Sequence, residues 1–287
     1  MRLATVDGRA ALVVGSGDVV DLARASRGRF GHDTQDAYAR WAELTEFAAT
    51  VDPAGEYAQS AAPEDFGNPV PAPRQVFAIG LNYADHAAES SFALPEQPVV
   101  FTKFPTCLTG PTGDVELPPG NVDWEVELVV VIGRRAHRVS EDHGWNYVAG
   151  LSVGQDLSER VLQQAGPAPQ FSLAKSHPGF GPIGPAVVSV DELPGRDDLE
   201  LGCLINGEQM QRDRTAQMIF GVPELIARLS AVTPLLPGDV IFTGTPSGVG
   251  LGRTPQRYLV PGDELVSYIE GIGSMRHHLV AQVPPGT

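Results

Sequence analysis

Short apolar runs closed by glycine or proline dominate the polarity pattern of this 287-residue chain, which points to strands rather than long helices. Arg2 to Val6, Ala10 to Val14 and Val19 to Leu22 are separated by Asp7-Gly8 and Gly15-Ser16-Gly17-Asp18, which predicts a meander with glycine turns. Between Asp36 and Thr50 the apolar residues Tyr38, Trp41, Leu44, Phe47 and Ala48 recur at helical spacing, and Pro53 ends the pattern. Pro53 to Pro73 reads as an extended connection. Beyond it, strands are predicted at Arg74–Gly80, Pro98–Lys103, Leu128–Ile132, Tyr147–Gly154 and Leu199–Ile205. Val240–Thr243 and a closing Leu265–Ile269 complete the strands, and Ile219–Ala231 is an amphipathic helix. Leu108–Gly113 is a turn-rich loop, and Phe171–Pro185 is assigned no regular element.

This pattern predicts a predominantly β, α+β protein: a small N-terminal α/β module over 1–70 and a main body over 74–282. The 32 glycines and 25 prolines fit a strand-and-loop-rich globule. A net charge of −15 and a pI near 4.8 argue against nucleic acid and anionic membranes as partners. Neither a signal-peptide pattern nor an 18-residue apolar run is visible. Cys107 and Cys203 lack metal-type spacing and read as reduced core thiols of a cytoplasmic protein.

Candidate chemistry centres on Asp123-Trp124-Glu125-Val126-Glu127-Leu128. Strand alternation puts Glu125 and Glu127 on one face, about 6–7 Å apart, at the mouth of an apolar run. Like charges so placed repel and resist desolvation, and a hard divalent cation removes both costs. The plainer reading is a solvated strand end. His86 and Glu89 stand at i and i+3 behind Asn82, a suitable helix N-cap; they form either a carboxylate-backed base or an ordinary surface pair. Asp156 falls at a strand end, with Arg160 one turn on, suited to a substrate anion. Lys175, among Leu173, Ala174 and Phe180, suits a cation aimed at an oxyanion or one snorkelling from a loop. The glycines of Gly244-Thr245-Pro246-Ser247-Gly248-Val249-Gly250 let backbone N–H groups approach an anion. His277-His278 reads as a surface pair, since adjacent strand positions face opposite ways.

Gly80-Leu81-Asn82-Tyr83…His86…Glu89, Asp123 to Leu128, Gln155-Asp156-Leu157-Ser158…Arg160, Lys175-Ser176, Pro182 to Pro185 and Gly244-Thr245-Pro246…Gly248-Val249-Gly250 stand in one order. In that order, over roughly 74–280, the chain resembles the fumarylacetoacetate hydrolase family. The resemblance implies a mixed β-sandwich roll, a homodimer, and one Mg²⁺ or Mn²⁺ per chain on Glu125, Glu127 and Asp156. It implies His86, Glu89 and Lys175 as catalytic groups, and Asn82, Tyr83, Arg160, Gly244 and Thr245 as substrate contacts. The chain departs from the family at Gln155, where Asn is common. It departs again at Ser158-Glu159-Arg160-Val161, where Ser-Ala-Arg-Asp is common, and at Pro178, where Asp is common. These changes touch substrate identity rather than the ligand positions. The expected activity is metal-dependent hydrolysis of a C–C bond in a β-diketo, acylpyruvate-like acid. The alternative is decarboxylation or keto–enol isomerisation of a small 2-oxo acid such as oxaloacetate, because the same enolate stabilisation serves each. A non-catalytic metal scaffold leaves His86, Glu89 and Lys175 unexplained.

Overall fold

The computed structural model describes residues 1–283 apart from 16, 56 and 90–93. Its organising strand is Val126–Ile132, whose seven residues are all buried. A strand covered on both faces needs apolar side chains at every position, which is why this run does not alternate. Leu128, Val130 and Ile132 pack toward the helix Val222–Val232 and a second sheet, with Leu225, Ile226, Leu201 and Met275. Val129 and Val131 pack the other way, against Tyr38 and Leu44 of two N-terminal helices.

The strand lies inside a twelve-stranded sheet. Val148–Gln155 pairs antiparallel on one side and Val240–Phe242 on the other. Beyond Val240–Phe242, Val76–Gly80 runs parallel to it and carries the edge strand Val99–Thr102. Beyond Val148–Gln155, Gly181–Ser189 joins the N-terminal meander to the sheet through Leu3↔Val187. A five-stranded sheet runs Glu208–Arg214, Glu200–Ile205, Glu264–Ile269, Gly273–Ala281 and Thr112–Leu117. This mostly-β architecture is the α+β fold expected from the pattern, with the sandwich-type roll that the resemblance implies.

Several segments differ from the sequence reading. Gly181–Ser189 is a nine-residue strand that begins in a stretch assigned no regular element. Pro185, which has no N–H to give, falls where the strand shifts register against its neighbour between Leu151 and Val153, and Pro182 stands near the strand's start beside Thr109. Thr112–Leu117 is a strand rather than turn, parallel to Gly273–Ala281, which follows the strand expected to be last. The predicted N-terminal helix is two helices, Thr34–Tyr38 and Trp41–Ala48. The Pro53–Pro73 connection supplies Ala58–Ser60 and Phe66–Gly67 to the sheet. Within the first hairpin, the Val13↔Val19 pairing is described, whereas Ser16 lies outside the described residues. Cys107 and Cys203 are both buried and free. No helix among the described residues is long and apolar enough to cross a membrane.

Candidate active site

Antiparallel register assembles three carboxylates. Val126 opposes Gln155 and Glu127 opposes Gly154, so Asp156 falls opposite Glu125 and donates its N–H to the Glu125 carbonyl at 2.9 Å. Glu127 continues the Val129/Val131 face, and Glu125 sits just before the strand. Ligand oxygens of Glu125, Glu127 and Asp156 lie within 4.8 Å of one another, and all three residues are buried.

Cations surround the cluster unevenly. Lys175 Nζ donates to Glu125 Oε2 at 2.6 Å and to Asp156 Oδ2 at 2.8 Å. Lys103 Nζ donates to Asp156 Oδ1 at 2.7 Å and to the Lys175 carbonyl. Arg160 bridges Asp123 Oδ2 and Glu125 Oε1, each at 2.8 Å. These two lysines are the only lysines of the chain, and both are buried here. Burial works against an ionised Glu125, but Lys175 and Arg160 outweigh it and hold the carboxyl below its usual range. Lys175 is likewise resisted by burial and held charged by Asp156 and Glu125. Among the described residues Glu127 makes no ion pair; burial, then Asp156 and Glu125, push its carboxyl well above the ordinary range. A buried, oxygen-only donor set with one uncompensated carboxylate fits a hard divalent cation.

The glycine segment after Val240–Phe242 does meet anions at its backbone N–H groups, but they belong to the protein. Gly244 N–H donates to Glu127 Oε2 at 2.7 Å. Gly248 N–H donates to Glu89 Oε2 at 2.9 Å, and Gly250 and Leu251 donate to Asp123 at 2.7 and 2.9 Å. Gly244, Gly248 and Gly250 N–H groups thus fix carboxylates instead of waiting for an oxyanion.

His86 and Glu89 lie on the helix Ala84–Glu89, with Nδ1 2.8 Å from Glu89 Oε1. An ionised carboxylate only accepts, so Nδ1 carries the proton and Nε2 keeps its lone pair. A ring nitrogen so prepared is able to take a proton.

The remaining residues land differently. Asn82 does not cap that helix, which begins at Ala84. Its carboxamide donates to the Phe220 and Thr243 carbonyls and accepts from Phe220 N–H, clasping two segments. Tyr83 is buried, its hydroxyl unpartnered, and bridges Met218 through its backbone. Thr245 donates from Oγ1 to the Val126 carbonyl and also accepts from Gln211. His277 is buried, not superficial, with Nε2 against the Gly110 carbonyl, whereas His278 is exposed. Alternation along the strand still separates the two rings.

Sequence reasoning assigned no role to three positioning residues, Lys103, Asp123 and Gln211, and read Gln155 as a departure touching substrate identity, whereas it holds a metal-site backbone and does not line the cavity. Gln155 accepts from Glu125 N–H and donates to Ser267. Gln211 accepts from Val126 N–H and donates to Thr245 and the Pro246 carbonyl. The scarcity of lysine was the available signal for Lys103.

His86, Glu125, Glu127, Arg160, Lys175 and Thr245 border a cavity of about 210 Å³. Its floor includes Glu125, Glu127, Arg160 and Lys175; His86 faces it, and Ile79, Leu81, Phe101, Phe171 and Leu251 form apolar walls.

Residues 75–280 match the family described as fumarylacetoacetate (FAA) hydrolase C-terminal. The mitochondrial oxaloacetate tautomerase FAHD2A of Bos taurus is 41% identical over 214 residues, covering 74% of this chain and 68% of that protein. A 2,4-didehydro-3-deoxy-L-rhamnonate hydrolase of Sphingomonas sp. (strain SKA58) is 43% identical over 217 residues, 75% of this chain and 76% of that one. Among solved structures, an HpcE-like protein from Mycobacterium smegmatis superposes with a TM-score of 0.93 at 58% identity, covering 99% of this chain and 100% of its own. A maleylpyruvate hydrolase from Sphingobium sp. SYK-6, in complex with manganese(II) and pyruvate, gives a TM-score of 0.81 at 26% identity, with 98% and 100% covered.

Proposed function

The chain belongs to the fumarylacetoacetate hydrolase family, a family of metal-dependent enzymes, and on that premise we propose that it hydrolyses a C–C bond in an acylpyruvate-like β-diketo acid, releasing pyruvate or a similar 2-oxo acid. The observation that carries this reading is the His86 Nδ1–Glu89 Oε1 contact of 2.8 Å on the rim of the cavity that holds the carboxylate triad.

Glu125, Glu127 and Asp156 would hold one Mg²⁺ or Mn²⁺, and the manganese(II)- and pyruvate-bound relative supports both ion and product class. A divalent cation there supplies Lewis acidity and positive charge to the carboxylate and keto oxygens of a 2-oxo acid. Glu89, fixed by Gly248 N–H, orients the His86 ring. His86 Nε2 takes a proton from a water adding to the distal carbonyl carbon. The C–C bond then breaks, its electron pair passes into the pyruvate enolate, and that enolate takes up a proton to give pyruvate. Lys175, charged and buried, lowers the cost of negative charge arising beside it. Arg160 keeps Glu125 in place while presenting part of its guanidinium to the cavity.

A second reading, keto–enol tautomerisation or decarboxylation of oxaloacetate, draws on the name of the 41% identical bovine relative. It needs the same charge-stabilising shell but no activated water. Product analysis with acylpyruvates and oxaloacetate separates the two. His86→Ala is expected to cut acylpyruvate hydrolysis about 10²–10⁴-fold with metal binding kept, and oxaloacetate turnover far less. Equal loss of both activities would remove His86 from water activation. Homodimer assembly and a cytoplasmic setting belong to this proposal on family resemblance, and sedimentation would read twice the 30.5 kDa chain.

A further inference from the structure

The cavity is one-sided in its chemistry. Its floor is ionic, and its walls of Ile79, Leu81, Phe101, Phe171 and Leu251 carry no charge. Phe101 and Phe171 meet edge to face with centroids 5.5 Å apart, so the wall is a preformed aromatic corner. At about 210 Å³ the space is below the ~300–1,000 Å³ of drug-sized ligand sites, which limits the occupant to a small molecule.

Every cation bordering this space already has anionic partners. Arg160 is held by Asp123 and Glu125, with Nη1 also donating to Gln163. Lys175 is held by Glu125 and Asp156, and its ammonium lies 5.1 Å from the Phe101 centroid. Lys103 is wholly buried behind Asp156.

The charge balance points the same way. Four buried carboxylates, Asp123, Glu125, Glu127 and Asp156, face three buried cations, Lys103, Arg160 and Lys175. With a divalent cation bound and Glu127 ionised against it, these groups and the ion sum to one positive charge, which the carboxylate of a 2-oxo acid would neutralise. A second carboxylate at the far end of the ligand would lie against phenylalanine and leucine with no counter-ion. Gln163 and Gln164 at the border can hydrogen-bond a carbonyl but cannot balance a charge.

We propose that this site selects 2-oxo acids whose far end is uncharged and apolar, seated on Leu81, Phe101, Phe171 and Leu251, and that it rejects dicarboxylic 2-oxo acids. The inference rests on the reading of the site as a 2-oxo acid enzyme. It makes oxaloacetate, with its second carboxylate, a poorer ligand than an alkyl or aryl acylpyruvate.

The test is calorimetric binding to the Mg²⁺-loaded protein of two near-isosteric acids, 5-methyl-2-oxohexanoate and 2-oxoglutarate, which differ in the far-end group. The monoacid is expected to bind at least tenfold tighter. Leu251→Arg, which places a cation at the wall, should improve 2-oxoglutarate binding at least tenfold relative to the monoacid. Equal or tighter binding of 2-oxoglutarate by the natural protein would overturn the selectivity while leaving the 2-oxo acid reading intact. If neither acid binds a protein that does bind Mg²⁺, the proposed function itself fails and the inference falls with it.

Discussion

Among single residues, Glu127 bears the largest electrostatic load: it is buried beside Glu125 and Asp156 and makes no ion pair among the described residues. Burial, Asp156 and Glu125 push the Glu127 carboxyl well above its ordinary range, so Glu127→Gln exchanges a neutral group for a neutral isostere and the metal-free variant should melt close to the natural protein. It should lose the rise in melting temperature that Mn²⁺ gives the natural protein, as thermal melts with and without the ion would show. Gly244 is as constrained as Glu127 is loaded. With φ at +102°, a Cβ there would stand 2.6 Å from Asn82 Cβ and 3.0 Å from the Ile79 carbonyl oxygen. Gly244→Ala should therefore shift the N–H that holds Glu127 and weaken Mn²⁺ binding at least tenfold by titration. Buried His277 contributes to the pH dependence: burial lowers its imidazole from 6.5 to about 4. Its unfolded form binds a proton that its folded form refuses. Its contribution to stability is thus full above pH 6.5 and is lost as pH falls toward about 4, by about 3 kcal/mol. Urea midpoints from pH 7 to 4 should fall less steeply in His277→Gln. The glutamate pair and the His86–Glu89 spacing were legible in the sequence, because period two and i,i+3 are local rules. Lys103 was not, because its partners, Asp156 and the Lys175 carbonyl, lie 53 and 72 residues away.

Among elements, the central strand was plain from its unbroken apolar run, and the nine-residue strand Gly181–Ser189 was not. Its glycines and prolines point to no regular element, while tertiary pairing with Val148–Gln155 and Arg2–Val6 makes it strand. The same long-range pairing decides what residues 1–70 contribute. None of them lines the cavity, yet Arg2–Val6 covers the edge of Gly181–Ser189, and Tyr38 and Leu44 cover Val129 and Val131. Deleting 1–70 should expose a sheet edge and an apolar face, giving aggregation in light scattering rather than a folded protein lacking one side chain. The glycine segment 244–250 was legible as anion-binding backbone; which anions it binds was not, since they come from two distant stretches, Glu89 and Asp123–Glu127.

For the molecule as a whole, acidity and lysine placement are two sides of one arrangement. A net charge of −15 leaves a surface that gathers divalent cations, while both lysines are withdrawn from it, Lys175 to the cavity floor and Lys103 behind Asp156. In native protein treated with an amine-reactive ester, Lys103 and Lys175 should react only after unfolding; rapid native labelling of Lys175 would mean an open floor. The fold class was readable from the density of short strands, but the joining of N-terminal meander and main body in one sheet needed the coordinates. At the centre of the account is one divalent cation held by Glu125, Glu127 and Asp156. Titration of Mn²⁺ followed by electron paramagnetic resonance reads this most directly. The natural protein should take up one ion per chain and Glu127→Gln none at the same concentrations; an unchanged stoichiometry in the variant, or no uptake by the natural protein, would contradict it.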